Sequence, residues 1–263
     1  KKGFYIGYGL VLNFGGIFTA VSLYLNDKLR YDLNKMREDK TIDEQIKRIH
    51  CRSAKKYDKI NDRIEVRNKI NSYRKILTSY ATGEILETAC GTGRNFCFYH
   101  ETNKVIAVDY SSEMLEICKK KLTEGLISDQ GTNTSIKTKN IQLQNTNCQD
   151  LQREFGNNRF DCVIDFMNMQ AYSDPENVIK NIKSVLKDKG KLIVLCRGKS
   201  NMWAINTFYS LFYPTILMRY GVDYSRNWDE IFLKDNDLKC LYQQRKNFGK
   251  TYMYVFELNK QKE

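Results

Sequence analysis

The run Glu84-Ile-Leu-Glu-Thr-Ala-Cys-Gly-Thr-Gly-Arg-Asn95 sends an apolar strand into a turn that holds Gly91 and Gly93. Glycine at such a turn lets the backbone pass close beneath a ligand and adopt positive φ. In an open α/β sheet, ligands sit at the carboxyl ends of the strands, near the point where strand order reverses. Two common ligands are excluded by the spacing. A dinucleotide fingerprint needs G-x-G-x-x-G, and Phe96 stands at the third glycine position. A phosphate loop needs a Gly-Lys-Ser/Thr ending, which is absent. The next strand ends at Asp109, at roughly the 20-residue distance from which a carboxylate grips ribose hydroxyls. A carboxylate can accept from both the 2′ and 3′ hydroxyls. These residues call for a ligand with a ribose, and nothing in them requires a pyrophosphate.

Other chemically capable residues have plainer explanations. Asp174-Pro175-Glu176 opens a helix: Ser173 or Asp174 can cap it, Pro175 fits the first turn, and Glu176 can close a capping box with Ser173. His50 and His100 have no motif around them, so neither is assigned as a base. Asp165 ends a strand, where a carboxylate either meets the ligand or serves the structure. The eight cysteines are Cys51, Cys90, Cys97, Cys118, Cys148, Cys162, Cys196 and Cys240. They form no CxxC pair, and with only 2 His to join them no metal site is expected. Several fall in apolar strand runs, which suits reduced, buried thiols.

The elements that would position these residues begin at Glu84. Strand-like runs at Glu84–Ala89, Lys104–Asp109, Ile141–Asn145, Phe160–Phe166 and Lys191–Cys196 alternate with helix-like runs at Asn95–His100, Ser112–Leu122 and Asn177–Leu186. Such alternation predicts an α/β domain with a mostly parallel sheet covered on both faces. Leu238–Lys246 and Thr251–Leu258 flank a turn at Asn247-Phe248-Gly249 and predict a hairpin that adds an antiparallel edge. Residues 127–140 are polar and read as a surface loop. Trp203, Phe208, Tyr209, Phe212 and Tyr213 form an aromatic stretch, read first as core packing and second as a pocket roof or a membrane contact.

Three segments follow: a membrane helix over 3–25, a charged helical connector over 26–80, and the α/β domain over 81–263. Gly3 to Leu25 carries no charged residue. As a helix it is about 34 Å long, enough to cross a bilayer. Lys1 and Lys2 flank one end, and Asp27, Lys28 and Arg30 the other. The connector carries sparse apolar residues at helical spacing, Ile42, Ile46 and Ile49 on one face and Ile64, Ile70, Tyr73 and Leu77 on another. It reads either as a stalk or as a segment whose part near Tyr57 and Asp58 folds over the ligand cleft. The net charge of +12 favours anionic surfaces. The basic residues are spread along the chain, however, with no basic-aromatic signature, so nucleic acid is not expected as a partner.

Four motifs in register resemble those of class I S-adenosylmethionine-dependent methyltransferases of the quinone-biosynthesis type. Glu-Thr-Ala-Cys-Gly-Thr-Gly resembles the first, and Val-Ile-Ala-Val-Asp-Tyr-Ser-Ser-Glu-Met-Leu115 the second. Phe160-Asp-Cys-Val-Ile-Asp165 resembles the fourth, and Leu186-Lys-Asp-Lys-Gly-Lys-Leu-Ile-Val-Leu195 the strand that follows. Ala-Cys-Gly-Thr-Gly-Arg-Asn, Ala171-Tyr-Ser-Asp-Pro175, Asn227-Trp-Asp-Glu-Ile and Gly249-Lys-Thr-Tyr, with the hydrophobic N-terminus, resemble the membrane-anchored mitochondrial inner-membrane methyltransferase-like proteins. The resemblance implies a Rossmann-like fold, S-adenosylmethionine as cofactor and a mitochondrial inner-membrane location. It also implies roles: Glu87, Thr88, Ala89, Cys90, Gly91, Thr92 and Gly93 along the methionine part, and Asp109 on the ribose. Tyr110 and Met114 would lie near the adenine, Asn147 and Cys148 at its edge, and Asp165 and Phe166 beside the methyl group. Two positions depart from the pattern: Cys196-Arg197 stands where a Glu-His pair is usual, and Asn147 where an acid is usual. Two functions follow, an active membrane-anchored methyltransferase with a small-molecule acceptor, or a structural or assembly subunit of a large inner-membrane complex.

Overall fold

The computed structural model describes residues 24, 27–36, 38, 41–126 and 140–260. In strand β1 (Glu84–Thr88), Ile85 and Leu86 are both fully buried, yet they enter different hydrophobic clusters, because successive strand residues face opposite sides of a sheet. The same division runs through β4 (Phe160–Phe166), β5 (Leu186–Arg197) and β7 (Thr251–Leu258). With β2 (Lys104–Asp109), β3 (Ile141–Asn145) and β6 (Leu238–Lys246), they form one sheet of order β3-β2-β1-β4-β5-β7-β6. The first five strands in that order pair in parallel, and β7 then pairs antiparallel with both β5 and β6, as expected of a terminal hairpin added at the edge. Strand order reverses between β1 and β4, which opens a crevice at their carboxyl ends.

The helices are α1 (helical over residues 27–36), α2 (Ile42–Ser53), α3 (Tyr57–Arg67), α4 (Ile70–Thr78), α5 (Ser112–Thr123), α6 (Leu151–Phe155), α7 (Pro175–Val185), α8 (Trp203–Leu211), α9 (Tyr213–Tyr220) and α10 (Trp228–Phe232). One sheet face is covered by Val178, Ile182 and Val185 of α7 and by Trp228 and Phe232 of α10. The other is covered by Ile70, Tyr73 and Leu77 of α4, with Phe96, Tyr99 and Cys118. Each such side chain contributes roughly 1.5–3 kcal/mol on burial. A third, smaller cluster of Leu33, Ile46 and Leu217 joins α1, α2 and α9. All eight cysteines are free thiols.

Several expectations change. Helix α4 belongs to the core of the α/β domain and does not stand off as a stalk. The helix expected at Asn95–His100 is reduced to one 3-10 turn at Phe96–Phe98. Its side chains explain why: Asn95 and Tyr99 turn inward to a buried carboxylate, and Tyr99 adopts an extended backbone. The cap of α7 is Asp174, whose carboxylate accepts from the Asn177 amide, while the Ser173 hydroxyl donates to Asp43. The aromatic stretch is not core: α8 has no buried residue, and Trp203 is 80% exposed. Both faces of the sheet are already covered, which leaves α8 no apolar surface to pack on. The membrane helix read at 3–25 lies, apart from Tyr24, outside the described residues, as does most of the polar loop at 127–140. Among the described residues no helix is long and apolar enough to cross a membrane.

Candidate functional site

The end of β1 turns sharply through Ala89 (φ 45°), Gly91 (φ 56°) and Gly93 (φ 78°). At Gly93 a Cβ would lie 2.8 Å from Cys118 Sγ and 2.9 Å from the Phe96 ring, so both space and φ demand glycine. At Gly91 a Cβ would meet nothing within 4 Å: the backbone there borders open space. Asp109, at the end of β2, rivets this turn to its own strand. Its Oδ2 accepts from the Gly91 amide and its Oδ1 from the Ser111 amide, both at 2.8 Å. Burial raises its pKa to about 6, against the pull of those two amides.

Helix α3 is clasped over the turn by charge. Asp58 accepts from Thr92 Oγ1 at 2.7 Å and pairs with Lys121 at 2.5 Å and Arg94 at 3.0 Å. Arg94 also reaches Asp62 and Glu65, both at 2.7 Å, and Glu65 is held from the far side by Arg74 at 2.5 and 2.9 Å. These cations hold Glu65 and Asp58 below the usual carboxylate range despite their burial. Tyr57, at the start of α3, lines the space beneath, and burial pushes its phenol up to about 12. The segment near Tyr57 and Asp58 therefore does fold over the cleft.

Between the strand ends and these helices lies a cavity of 1360 Å³. Ligand pockets commonly span roughly 300–1,000 Å³, so this one has room for two molecules. Helix α2 forms one wall. There His50 Nδ1 lies 2.7 Å from the Tyr110 hydroxyl, and burial lowers the imidazole pKa, which favours the neutral ring. Ile216, Arg219 and Tyr220 of α9, which packs beside α2, extend that wall, and Phe166, Met167, Asn168 and Arg197 close the carboxyl ends of β4 and β5. Met167 carries a left-handed backbone (φ 68°), a strained conformation for a side-chain-bearing residue at the edge of a site. Arg197 Nη2 is buried and has no hydrogen-bond partner among the described residues.

Of the residues expected from the sequence, Ala89, Cys90, Gly91, Thr92, Asp109, Tyr110, Met114, Asn147 and Phe166 line the cavity. Glu87, Thr88, Gly93, Cys148 and Asp165 do not line it; they lie in the structure that shapes it. The fully buried Glu87 carboxylate accepts from Asn95 Nδ2 at 2.7 Å and from the Tyr99 hydroxyl at 2.5 Å, and burial raises it to about 7. Asp165, also fully buried, accepts from Thr88 Oγ1 at 2.8 Å and the Tyr172 hydroxyl at 2.7 Å, and burial raises it to about 6. Asn147 caps the next turn by accepting from the Gln149 amide. No motif points to His50, Met167 or the α9 wall, and Arg197 stands out only as a departure from the pattern the sequence resembles. They reach the cavity from separate elements, and only the tertiary fold assembles them.

The family profile described as a methyltransferase domain matches residues 85–190. The chain is 26% identical over 230 residues to the Saccharomyces cerevisiae protein "Methyltransferase OMS1, mitochondrial"; the aligned part covers 86% of this chain and 49% of that protein. It is 29% identical over 178 residues to the Haemophilus ducreyi "Ubiquinone/menaquinone biosynthesis C-methyltransferase UbiE", covering 64% of this chain and 63% of that one. The chain thus spans about half the length of the yeast relative. Among solved structures, an O-methyltransferase family protein from Burkholderia thailandensis superposes with a TM-score of 0.60 at 13% identity, over 80% of this chain and 61% of that one, a likeness of fold.

Proposed function

We infer that this chain is a class I S-adenosylmethionine-dependent methyltransferase that passes the cofactor's methyl group to an acceptor held in the same cavity. The observation that carries the reading is a 1360 Å³ space bordered by both the glycine turn and Asp109. Its residues fit the cofactor. Each Asp109 oxygen takes one backbone amide, which leaves lone pairs for ribose hydroxyls. The open space at Gly91 admits a ligand against the backbone. In this reading Ala89 to Thr92 face the methionine part, Tyr110 and Met114 the adenine, and Asn147 its edge. Glu87, Thr88, Gly93, Cys148 and Asp165 brace the site from behind.

Bound S-adenosylmethionine would supply a methyl group on a sulfonium, open to in-line displacement. The chain's own part is to align the acceptor and keep out water, and alignment alone is worth on the order of 7–11 kcal/mol. His50, neutral and bonded to Tyr110, fixes the ring at the adenine end. Arg197, whose buried Nη2 has no partner among the described residues, stands where an oxygen-rich acceptor would meet it. The acceptor itself is not assigned.

The proposed setting is a mitochondrial membrane. The yeast relative's name carries the location, the charge-free run at 3–25 supplies an anchor, and the inner membrane is implied by the sequence resemblance. No observation favours the alternative, a structural or assembly subunit of an inner-membrane complex.

Titration of the full chain with S-adenosylmethionine by calorimetry tests the reading. Micromolar binding is expected, weakened about 100-fold in Asp109→Ala by the loss of hydrogen bonds to a charged group. A folded chain that binds nothing at millimolar cofactor would overturn it.

A further inference from the structure

We propose that helix α8 lies on the surface of a lipid bilayer, with Trp203, Phe208 and Met202 in its interfacial layer. The sequence carries no charged residue from Ser200 to Met218. Within that run, Met202, Trp203 and Phe208 are 45%, 80% and 54% exposed, and no residue of α8 is buried. Phe248, on the β6–β7 turn, is 68% exposed and belongs to the same patch. Its carbonyl accepts from the Asn201 amide at 3.0 Å and from Ser200 Oγ at 2.6 Å, which ties that turn to the start of α8. Large exposed apolar side chains gathered in one place mark an interaction surface.

Two polar side chains of α8, Asn206 and Thr207, have their hydrogen bonds met within the chain. Asn206 spends its side chain on the chain itself, accepting from the Ser200 amide at 2.7 Å and donating to the Ser200 carbonyl at 2.8 Å. The Thr207 hydroxyl donates back to the Trp203 carbonyl at 3.1 Å. A helix whose polar side chains are satisfied internally loses little when its outer face leaves water. Tryptophan in particular is suited to the headgroup level, with an apolar body and one polar N–H.

The bilayer is singled out as the occupant by α1. Arg30 Nη2 donates to the Ser210 carbonyl of α8 at 2.8 Å, and Leu33 packs with Leu217 of α9. The charge-free run of the sequence ends at Asn26, directly before the described stretch of α1 that begins at Asp27. A segment long enough to cross a bilayer therefore joins the structure beside α8. Lys28 and Arg30 at that junction are balanced by Asp27 and Asp32, so the bilayer is favoured by the apolar surface and the adjoining segment and not by net charge. The inference stands on the surface of α8 and not on methyl transfer.

The test uses the chain's two tryptophans. Trp203 is exposed and Trp228 fully buried, and residues 3–25 contain none. The full chain is reconstituted into vesicles of phosphatidylcholine with a minor share of phosphatidylglycerol, with and without bromine on the upper acyl chain. The expected result is a blue-shifted emission whose Trp203 share is lost in brominated vesicles, and no such loss in Trp203→Phe. Equal quenching of both proteins, with the wild type floating with the vesicles, would overturn the proposal while leaving the anchor standing. Failure to float would overturn it too. So would a blue shift of Trp203 in lipid-free detergent that grows with protein concentration, because a second copy would then cover α8. Cofactor binding by Trp203→Phe at wild-type strength shows that the variant is folded, and its outcome reports separately on the methyltransferase reading.

Discussion

Glu87, Asp109 and Asp165 are all held above the ordinary carboxylate range, at about 7, 6 and 6, chiefly because burial penalises the charged form. A raised pKa in the folded state means that the stabilising contribution is complete below the unfolded value and is lost as pH rises through the folded one. For Glu87 that window runs from 4.5 to about 7. Glu87→Gln keeps a neutral side chain at every pH and can still accept from Asn95. It should match the wild type near pH 4.5 and exceed it by on the order of 2 kcal/mol at pH 8, read from urea denaturation at the two pH values. A difference that does not change with pH would mean that Glu87 is ionised in the fold. Asp109 gives a second pH dependence, of opposite use. Ribose hydroxyls donate best to a carboxylate, so cofactor affinity should fall by up to tenfold per pH unit below about 6. A flat calorimetric profile from pH 5 to 8 would remove Asp109 from ribose binding.

At the scale of elements, α3 is fastened to the glycine turn by charges with unequal burial. Glu65 serves both Arg74 and Arg94, and its side chain is 4% exposed, whereas that of Asp62 is 40% exposed. Removing Glu65 leaves two guanidinium groups short of a counter-charge, so Glu65→Ala should cost about 3–5 kcal/mol. Arg94→Ala leaves Glu65 with Arg74 and Asp58 with Lys121, so it should cost less while loosening the turn beneath. Equal losses in urea denaturation would show that the network is not shared through Glu65. The strands of this frame were legible because β propensity and apolar runs act locally: Ile141–Asn145, Phe160–Phe166, Leu238–Lys246 and Thr251–Leu258 appear as expected. The 3-10 turn at Phe96–Phe98 was not, because Glu87 recruits Asn95 and Tyr99 across the fold. Helix α8 was misjudged for a related reason. Aromatic composition shows that a face wants to leave water but not what covers it.

For the whole molecule, the cavity is lined both by the strand ends and by α2, α3 and α9. A ligand in that position would bridge the layers and bind only the folded chain, so its binding energy adds to stability. At a concentration 100 times its dissociation constant a ligand contributes about 2.7 kcal/mol. A domain of this size gains about 2–4 °C in Tm per kcal/mol. S-adenosylhomocysteine, the cofactor without its methyl group, should therefore raise Tm by about 5–10 °C at that excess. Asp109→Ala, with affinity about 100-fold weaker, should cut the shift to about 1–2 °C at the same concentration, and Asp58→Ala should reduce it, because Asp58 ties α3 to Thr92 of the glycine turn. A shift that survives Asp109→Ala undiminished would place the ligand elsewhere in the 1360 Å³. A shift reduced in both variants but not in Trp203→Phe would tie cofactor binding to the closed arrangement of α3 over the strands and separate it from the surface that α8 presents.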